Sequence, residues 1–463
     1  MNPARNPDAR RTRRATPAAP WWAWALLALC VLALLTPQPA TAQQPGPGDS
    51  TPWLESRFVF TLSNLTLKAA PDEYGYLDAD NDTWEVNEQN ARLQLTGRPA
   101  SWLDWRVDYL NVKQNGTAPW ASPLGFFLAG LGLGLPPLEA QGGGAAQHRR
   151  ESWRRWIEKP GASQNLSWYH EVDQAYLRLA LGPVEAVLGR QPIGWGSGRF
   201  WRPTDLFAPF SPHALDTEFK PGVDAVLLNA FPGDFSRLSA VYVAAPLPEP
   251  AARGSSILRW RGPLAGESEA SLLGGSLRGA QVGGLSLEGT LFDAGWRVES
   301  LGFRERQPGS AGSWDPVQHF TVLGMDYGFA GGQVGAVEWY HHSQGATTTG
   351  EVNDVFLGGA YQQGRQPHLS RNVLGLALST SFWGLWELSY SGLASALRDP
   401  ANTSRWSTMQ RLTLRYSIAD EAEALFSLGA SSGAGLTRDP LRPLQSEFGH
   451  VPGTLLASIK FVL

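Results

Sequence analysis

Hydrophobic and polar positions alternate with period two along much of this chain, and helical periodicity is nearly absent. Leu412, Leu414, Tyr416 and Ile418 oppose Arg411, Thr413, Arg415 and Ser417. Trp386, Leu388 and Tyr390 oppose Glu387, Ser389 and Ser391. Leu374, Leu376, Leu378 and Phe382 oppose Gly375, Ala377, Ser379 and Ser381. Leu285, Leu287 and Leu291 oppose Ser286, Glu288 and Thr290. Ala175, Leu177, Leu179 and Leu181 oppose Gln174, Tyr176, Arg178 and Ala180, and Leu93 and Leu95 oppose Arg92, Gln94 and Thr96. Successive strand side chains point to opposite faces, so each segment reads as a strand with one apolar and one polar face.

Tight-turn compositions separate these segments at Arg98-Pro99-Ala100, Gly182-Pro183, Pro232-Gly233-Asp234, Asp293-Ala294-Gly295, Gly331-Gly332, Gly384 and Asp420. Longer connections fall at about 70–86, 114–165, 197–221, 247–280, 306–316, 345–368, 398–404 and 434–452. Short turns alternating with long loops describe an antiparallel barrel with one rim of each kind. The expectation is all-β, with about 16 strands between Phe58 and Leu463. The range is 14–18, because Ser268, Leu272, Leu273 and Leu277 offer a further strand pair within 268–280.

The end of the chain carries the same signal. Leu455, Ala457, Ile459, Phe461 and Leu463 share one face, and Leu456, Ser458, Lys460 and Val462 the other. A strand that ends the chain needs a partner edge, and pairing with the first strand closes a barrel. The segment resembles the closing strand of bacterial outer-membrane β-barrels, which carries an aromatic near its end. That resemblance implies a transmembrane barrel over 54–463 and recognition of the last strand by the barrel-assembly machinery. At the other end, Arg5, Arg10, Arg11, Arg13 and Arg14 precede an apolar run from Trp21 to Leu35, and Ala40-Thr41-Ala42 follows. This is the pattern of a cleaved secretory signal over 1–42, with 43–53 as a flexible periplasmic lead-in.

Composition narrows the class. Charged residues make up 17% of the chain, against roughly 25% in a typical soluble domain. No stretch after residue 42 offers the ~20 apolar residues of a transmembrane helix. Trp102, Trp105, Trp168, Trp296, Trp339, Trp383 and Trp386 stand near strand ends, where amphipathic rings meet lipid headgroups. A soluble sandwich or propeller alternates with the opposite sense, so pattern alone does not separate the two; the leader, the last strand and the aromatics favour the barrel. Without the leader, which holds five arginines and one aspartate, the formal charge moves from −4 to −8. That argues against nucleic acid as a partner. Cys30, the single cysteine, lies in the leader, so no disulfide, thiolate or haem attachment is expected in the mature chain. His341 and His342 adjoin Trp339 and Tyr340, but no further metal ligand is evident. No catalytic constellation emerges, so neither an enzyme nor a cofactor is expected.

Two segments carry candidate function. The first runs from Gly189-Arg190-Gln191 through Trp195-Gly196 and Arg199-Phe200-Trp201-Arg202-Pro203-Thr204-Asp205 to Lys220-Pro221-Gly222. Its Gly-Arg-Gln opening, Trp-Gly and Pro-x-Asp resemble a pattern in porin-like outer-membrane barrels of the alginate-export type and their relatives, over roughly 184–230. Arg190, Trp195, Arg199, Trp201, Arg202, Asp205 and Lys220 would line a constriction, where fixed arginines favour anions. Alternatively the charges pair with one another and brace a loop. Arg92, Arg178, Glu288, Glu387, Arg411 and Arg415 would face a water-filled lumen.

The second segment is the loop 114–165. It holds an apolar Gly-rich run from Leu124 to Leu138, then Gln147 to Lys159, which reads as a short helix with Trp153, Trp156 and Ile157 on one side. Folded inward it would narrow the pore. Turned outward, its arginines would meet lipopolysaccharide phosphates. The sequence therefore leads to a porin-like channel in the outer membrane of a Gram-negative cell, passing small polar or anionic solutes such as acidic saccharides. A plugged barrel serving surface assembly or export is the alternative.

Overall fold

A computed structural model describes residues 53–68, 83–116, 156–158, 166–210, 217–233, 235–245, 253–264, 266–305, 314–362, 364–437, 439 and 442–463. The expected leader, lead-in and most of the loop 114–165 lie outside these residues.

The alternating segments form one antiparallel sheet closed on itself. In chain order its strands are β1 (Leu54–Lys68), β2 (Thr83–Ala100), β3 (Leu103–Gly116), β4 (Trp156–Glu158), β5 (Leu166–Leu181), β6 (Val184–Gln191), β7 (Val223–Gly233), β8 (Ser236–Val243), β9 (Ser255–Pro263) and β10 (Glu269–Leu277). They continue with β11 (Ala280–Leu291), β12 (Ala294–Arg304), β13 (Gln318–Gly328), β14 (Val334–His342), β15 (Asn372–Phe382), β16 (Trp386–Arg398), β17 (Ser404–Ala419), β18 (Ala422–Ser432) and β19 (Gly453–Val462). β4 is a three-residue strip paired along Trp168–His170 of β5. This replaces the helix expected at Trp156 and Ile157. The other eighteen strands build the wall. β1 and β19 close it from Val59 opposite Val462 to Lys68 opposite Gly453. Phe58 and Leu463 extend the seam with two reciprocal backbone hydrogen bonds of 2.8 Å.

The sense of the alternation is that of a barrel in lipid. On β15, Leu374, Leu376 and Leu378 are 47%, 41% and 44% exposed, while Val373 and Ala377 at alternate positions are 1% and 2% exposed. A soluble sheet would hide the leucines. Here they form an outer apolar belt, which is the surface a bilayer covers. Trp102, Trp383 and Trp339 stand exposed near its two margins, and Trp386 stacks on Tyr416 at 4.3 Å on the same outer face.

The wall has eighteen strands rather than about sixteen, and the difference is the hairpin β9–β10. Its inner positions are apolar as well as its outer ones: Ile257 and Leu273 are buried, while Leu258 and Leu272 are exposed. With apolar residues on both faces and Gly274-Gly275 beside them, the alternation vanishes. The cause is what lies inside. Ile257, Leu273, Val282, Leu301 and Phe303 pack against Ile193, Trp195 and Phe207 of the segment joining β6 to β7. A second cluster joins Phe200 and Trp201 of that segment to Phe320, Val322, Tyr340, Val373 and Phe448. Where the crossing segment docks on β7–β16, the inner face expected to meet water is therefore a dry core, while Glu288 and Glu387 in the same sector stay partly exposed.

At the long-loop rim a third cluster joins the β14–β15 connection to residues 433–452. It includes Val352 of helix α1 (Val352–Phe356) and is followed by helix α2 (Gly359–Gln362). Asn353 locks the two connections together, donating to the Leu444 carbonyl at 2.8 Å and accepting from the Leu444 N–H at 2.9 Å.

Candidate functional site

The chain between β6 and β7 leaves the wall and crosses the lumen. Gly189 lets it leave: its φ is +118°, and a Cβ there would sit 2.4 Å from the Ala175 carbonyl oxygen. The segment then docks on the far wall through two carboxylates. Glu299 on β12 accepts the backbone N–H groups of Ser197 at 2.5 Å, Gly198 at 3.0 Å and Thr204 at 3.2 Å, and the Thr204 hydroxyl at 2.8 Å. Glu338 on β14 accepts those of Arg199 at 2.5 Å and Phe200 at 2.8 Å. Both glutamates are 0% exposed. Irregular backbone inside a barrel brings orphan N–H groups with it, and an ionised acceptor satisfies several at once. Gly196, at φ +99°, lies 3.0 Å in Cβ terms from the Glu299 carboxylate, so a side chain does not fit there.

The aromatics of the segment follow the same wall. Phe200 and Trp201 lie on Gly375 of β15, where a Cβ would fall 2.7 Å from the Phe200 ring. The Trp201 indole N–H donates to His368 Nε2 at 2.8 Å, and His368 Nδ1 meets Glu447 at 2.8 Å. An imidazole that accepts at Nε2 carries its proton at Nδ1, so it donates to Glu447. Glu447 also accepts the Ser370 N–H at 2.6 Å. This chain links the crossing segment to both connections at the long-loop rim.

The returning limb docks on a third part of the wall. Glu218 pairs with Arg57 of β1 at 2.9 Å and with Lys460 of β19. The Phe219 ring lies 4.5 Å from the Arg92 guanidinium of β2. Lys220 ties the two limbs together, reaching Asp205 at 2.5 Å and the Ala208 carbonyl at 2.6 Å. Burial pushes the Asp205 carboxyl up and the Lys220 ammonium down, and their mutual attraction opposes both shifts. The segment leaves the wall after β6, docks on β12 and β14, and docks again on β1, β2 and β19 before it enters β7. The crossing is thus a three-point brace.

The candidate residues separate into distinct groups. Arg190 is buried and bidentate with Asp224 at 2.8 and 3.0 Å, on the face of β7 opposite Val223 and Ala225. It does not line the passage. Trp195 packs edge-on to Phe207 at 5.7 Å beneath Arg259. Asp205 and Lys220 form the internal tie. Arg202 donates to the Gly198 carbonyl at 2.7 Å. Arg199 is exposed, and its guanidinium has no partner among the described residues.

The inner wall is largely charge-paired. Arg92 meets Asp173 at 2.7 Å and Asp108 at 3.3 Å. Arg178 meets Glu185 at 2.5 Å and Asp104 at 3.3 Å. Glu288 meets Arg261 at 3.0 Å, and Arg415 lies 3.6 Å from Glu387. Arg411 occupies the same face of β17 as Arg415. His341 and His342 fall on opposite faces, His342 buried inside and His341 bonded to Asn372 at 3.0 Å, so the pair does not converge on one ion.

Sequence reasoning missed Glu299, Glu338, Glu218 and the His368–Glu447 link. A usable signal was present for two of them: Glu338 in Val337-Glu338-Trp339 and Glu299 in Val298-Glu299-Ser300 are inward carboxylates on otherwise well-patterned strands.

No protein-family model and no curated protein matches the chain. Solved structures do. OccK9 (OpdG) of Pseudomonas aeruginosa superposes with a TM-score of 0.54 at 11% identity, covering 89% of this chain and 98% of that one. A BenF-like porin from Pseudomonas fluorescens Pf-5 gives 0.52 at 10% identity, covering 89% and 99%. OpdK of Pseudomonas aeruginosa with vanillate gives 0.50 at 9% identity, covering 88% and 98%. These are porins of the Occ type rather than of the alginate-export group to which the 184–230 pattern pointed. At such identities they establish the fold, a porin-like closed β-barrel.

Proposed function

We propose that the chain is an outer-membrane channel for passive diffusion of small anionic solutes, selected at the lumen-crossing segment. One observation carries this reading: the backbone at 197–204 is fixed by Glu299 and Glu338, while the Arg199 side chain on it stays exposed, with no partner among the described residues. A fixed cation beside a charge-paired wall is a local anion filter. Arg202 adds positive charge beside it. The similarity to porins, one of them solved with vanillate, fits solutes bearing a carboxylate. Small aromatic acids and acidic saccharides both belong to that class. The membrane setting also gives the partners: lipid and lipopolysaccharide around the apolar belt, and the assembly machinery at β19.

The test is single-channel recording of residues 43–463 refolded into planar bilayers under a salt gradient. Wild type should favour anions, Arg199→Gln should reduce that preference several-fold, and Arg199→Glu should reverse it. Conductance with unchanged selectivity in both variants would remove the filter. A folded barrel with no conductance would favour the plugged scaffold, for which the dry core where the segment docks on β7–β16 is the structural argument.

A further inference from the structure

The outer face of the wall carries a polar cleft at the long-loop rim. β15 and β16 are paired from Phe382–Trp386 up to Leu374–Ala394 and then part. The strip 346–349 fills the opening: Ala346 bridges Ser370, and Thr348 bridges Arg398. Backbone bonds secure it, from the Thr349 N–H to Arg398 at 2.9 Å and from the Arg398 N–H to Thr347 at 3.0 Å. The resulting cleft has a volume of about 630 Å³, and its lining includes Thr347, Thr348, Asn372, Ala396, Arg398, Asp399, Asn402 and Ser404. Ala396 and Arg398 alternate with buried Leu397, so the cleft opens away from the lumen.

The two carboxylates near Arg398, Glu351 and Asp399, are engaged by other groups. Glu351 is consumed by the strip itself, accepting the Thr347 N–H at 2.7 Å, the Thr347 hydroxyl at 2.9 Å and the Thr348 N–H at 3.2 Å. Asp399 accepts the Thr403 N–H at 2.8 Å and pairs with Arg405 at 2.8 Å. Arg398 makes a single side-chain bond, to Asn402 at 3.3 Å, and no carboxylate pairs with it among the described residues. A guanidinium presents five N–H donors, so most of its fork is free.

The cleft's height on the wall decides what meets it. The next outward position below Asn372 is Leu374, part of the apolar belt, and Trp406 beside Ala396 is 64% exposed. Trp339 lies below His341, their ring centroids 5.4 Å apart. Exposed indoles mark the headgroup level of a bilayer. A hydroxyl- and amide-lined cleft at that level on the lipid side, with a guanidinium that no carboxylate pairs among the described residues, matches a phosphorylated sugar.

We propose that this cleft binds the phosphorylated saccharide headgroup of a glycolipid in the surrounding leaflet, with Arg398 on the phosphate and Asn372, Thr348 and Asn402 on sugar hydroxyls. The proposal rests on the membrane reading of the barrel, and the test separates the two.

Full-length mature barrel is reconstituted with a bis-phosphorylated glucosamine-disaccharide glycolipid and, in parallel, with phosphatidylglycerol. It is then extracted in mild detergent for native mass spectrometry. One glycolipid should stay bound per barrel, Arg398→Ala should cut the retained fraction about tenfold, and Asn372→Ala should weaken it less. Arg199→Ala, inside the lumen, should leave retention unchanged. Equal retention by Arg398→Ala and wild type, or equal retention of phosphatidylglycerol, overturns the site. Displacement by millimolar glucosamine phosphate overturns the lipid as its source. A barrel that fails to enter liposomes at all removes the membrane reading instead.

Discussion

Glu338 holds Arg199 by its backbone, while the Arg199 guanidinium has no partner among the described residues. The carboxylate accepts the Arg199 N–H at 2.5 Å and takes Arg297 as its ionic partner at 3.1 Å. Cutting this anchor should release the crossing segment without opening the wall. Removing one member of a buried ionic set costs on the order of 3–5 kcal/mol, shared between the docked loop and Arg297 on the wall. Glu338→Ala should therefore expose the Arg199–Phe200 bond to trypsin at least about tenfold faster, with heat-modifiable gel mobility retained. A loop as protected as wild type would show that the packing of Phe200 and Trp201 suffices alone.

Gly375 tests that packing. A Cβ here meets the Phe200 ring at 2.7 and 2.9 Å and Trp201 at 3.1 Å. Overpacking a filled site costs typically 1–3 kcal/mol. Gly375→Leu should displace the aromatics, enlarge the passage and raise unitary conductance, while Gly283→Leu, where nothing stands within 4 Å of the added Cβ, should not. Equal conductance in the two variants would mean that the rings do not bound the passage.

How far the sequence carried these features follows from which groups touch what. β15, β16 and β17 were legible because their outer positions are nearly all apolar. β9 and β10 were not, because Ile257 and Leu273 face a dry core that only the crossing segment creates. The segment itself stood out through its glycines and arginines, yet nothing local distinguishes Arg190, buried on Asp224, from Arg199, exposed on a fixed turn. That distinction depends on partners about a hundred residues away or more, such as Glu299 and Glu338. A period-two pattern reports the face of a strand, and long-range pairing is invisible to it.

Arg92 illustrates the opposite role to Arg199. It is buried between Asp108 and Asp173 beneath Phe219. Arg92→Gln leaves two carboxylates short of their partner and should destabilise the barrel by on the order of 3 kcal/mol. It should lower the urea midpoint while leaving the reversal potential near the wild-type value. A selectivity change as large as that of Arg199→Gln would place Arg92 in the ion path after all.

Acid should loosen the connection 433–452. The Nδ1 atom of His450 is enclosed without a partner among the described residues, and burial lowers the imidazole to about 4. Glu447 and a Ser446 backbone contact oppose that shift without overcoming it. Once the connection is released, His450 returns to about 6.5. Below that pH the released form binds a proton that the docked form excludes, so docking is fully favoured above about 6.5 and weakens by ~1.4 kcal/mol per unit as pH falls toward 4. Glu447 adds no titration of its own in this window. Burial works to raise its carboxyl, but His368 and the Ser370 N–H outweigh it and keep it below its ordinary range. Hydrogen exchange across 442–452, corrected for intrinsic rates, should therefore accelerate between pH 7.5 and pH 5, and His450→Gln should flatten the dependence. Acceleration that persists unchanged in His450→Gln would assign the acid response to another group, with the Trp201–His368–Glu447 link the next to vary.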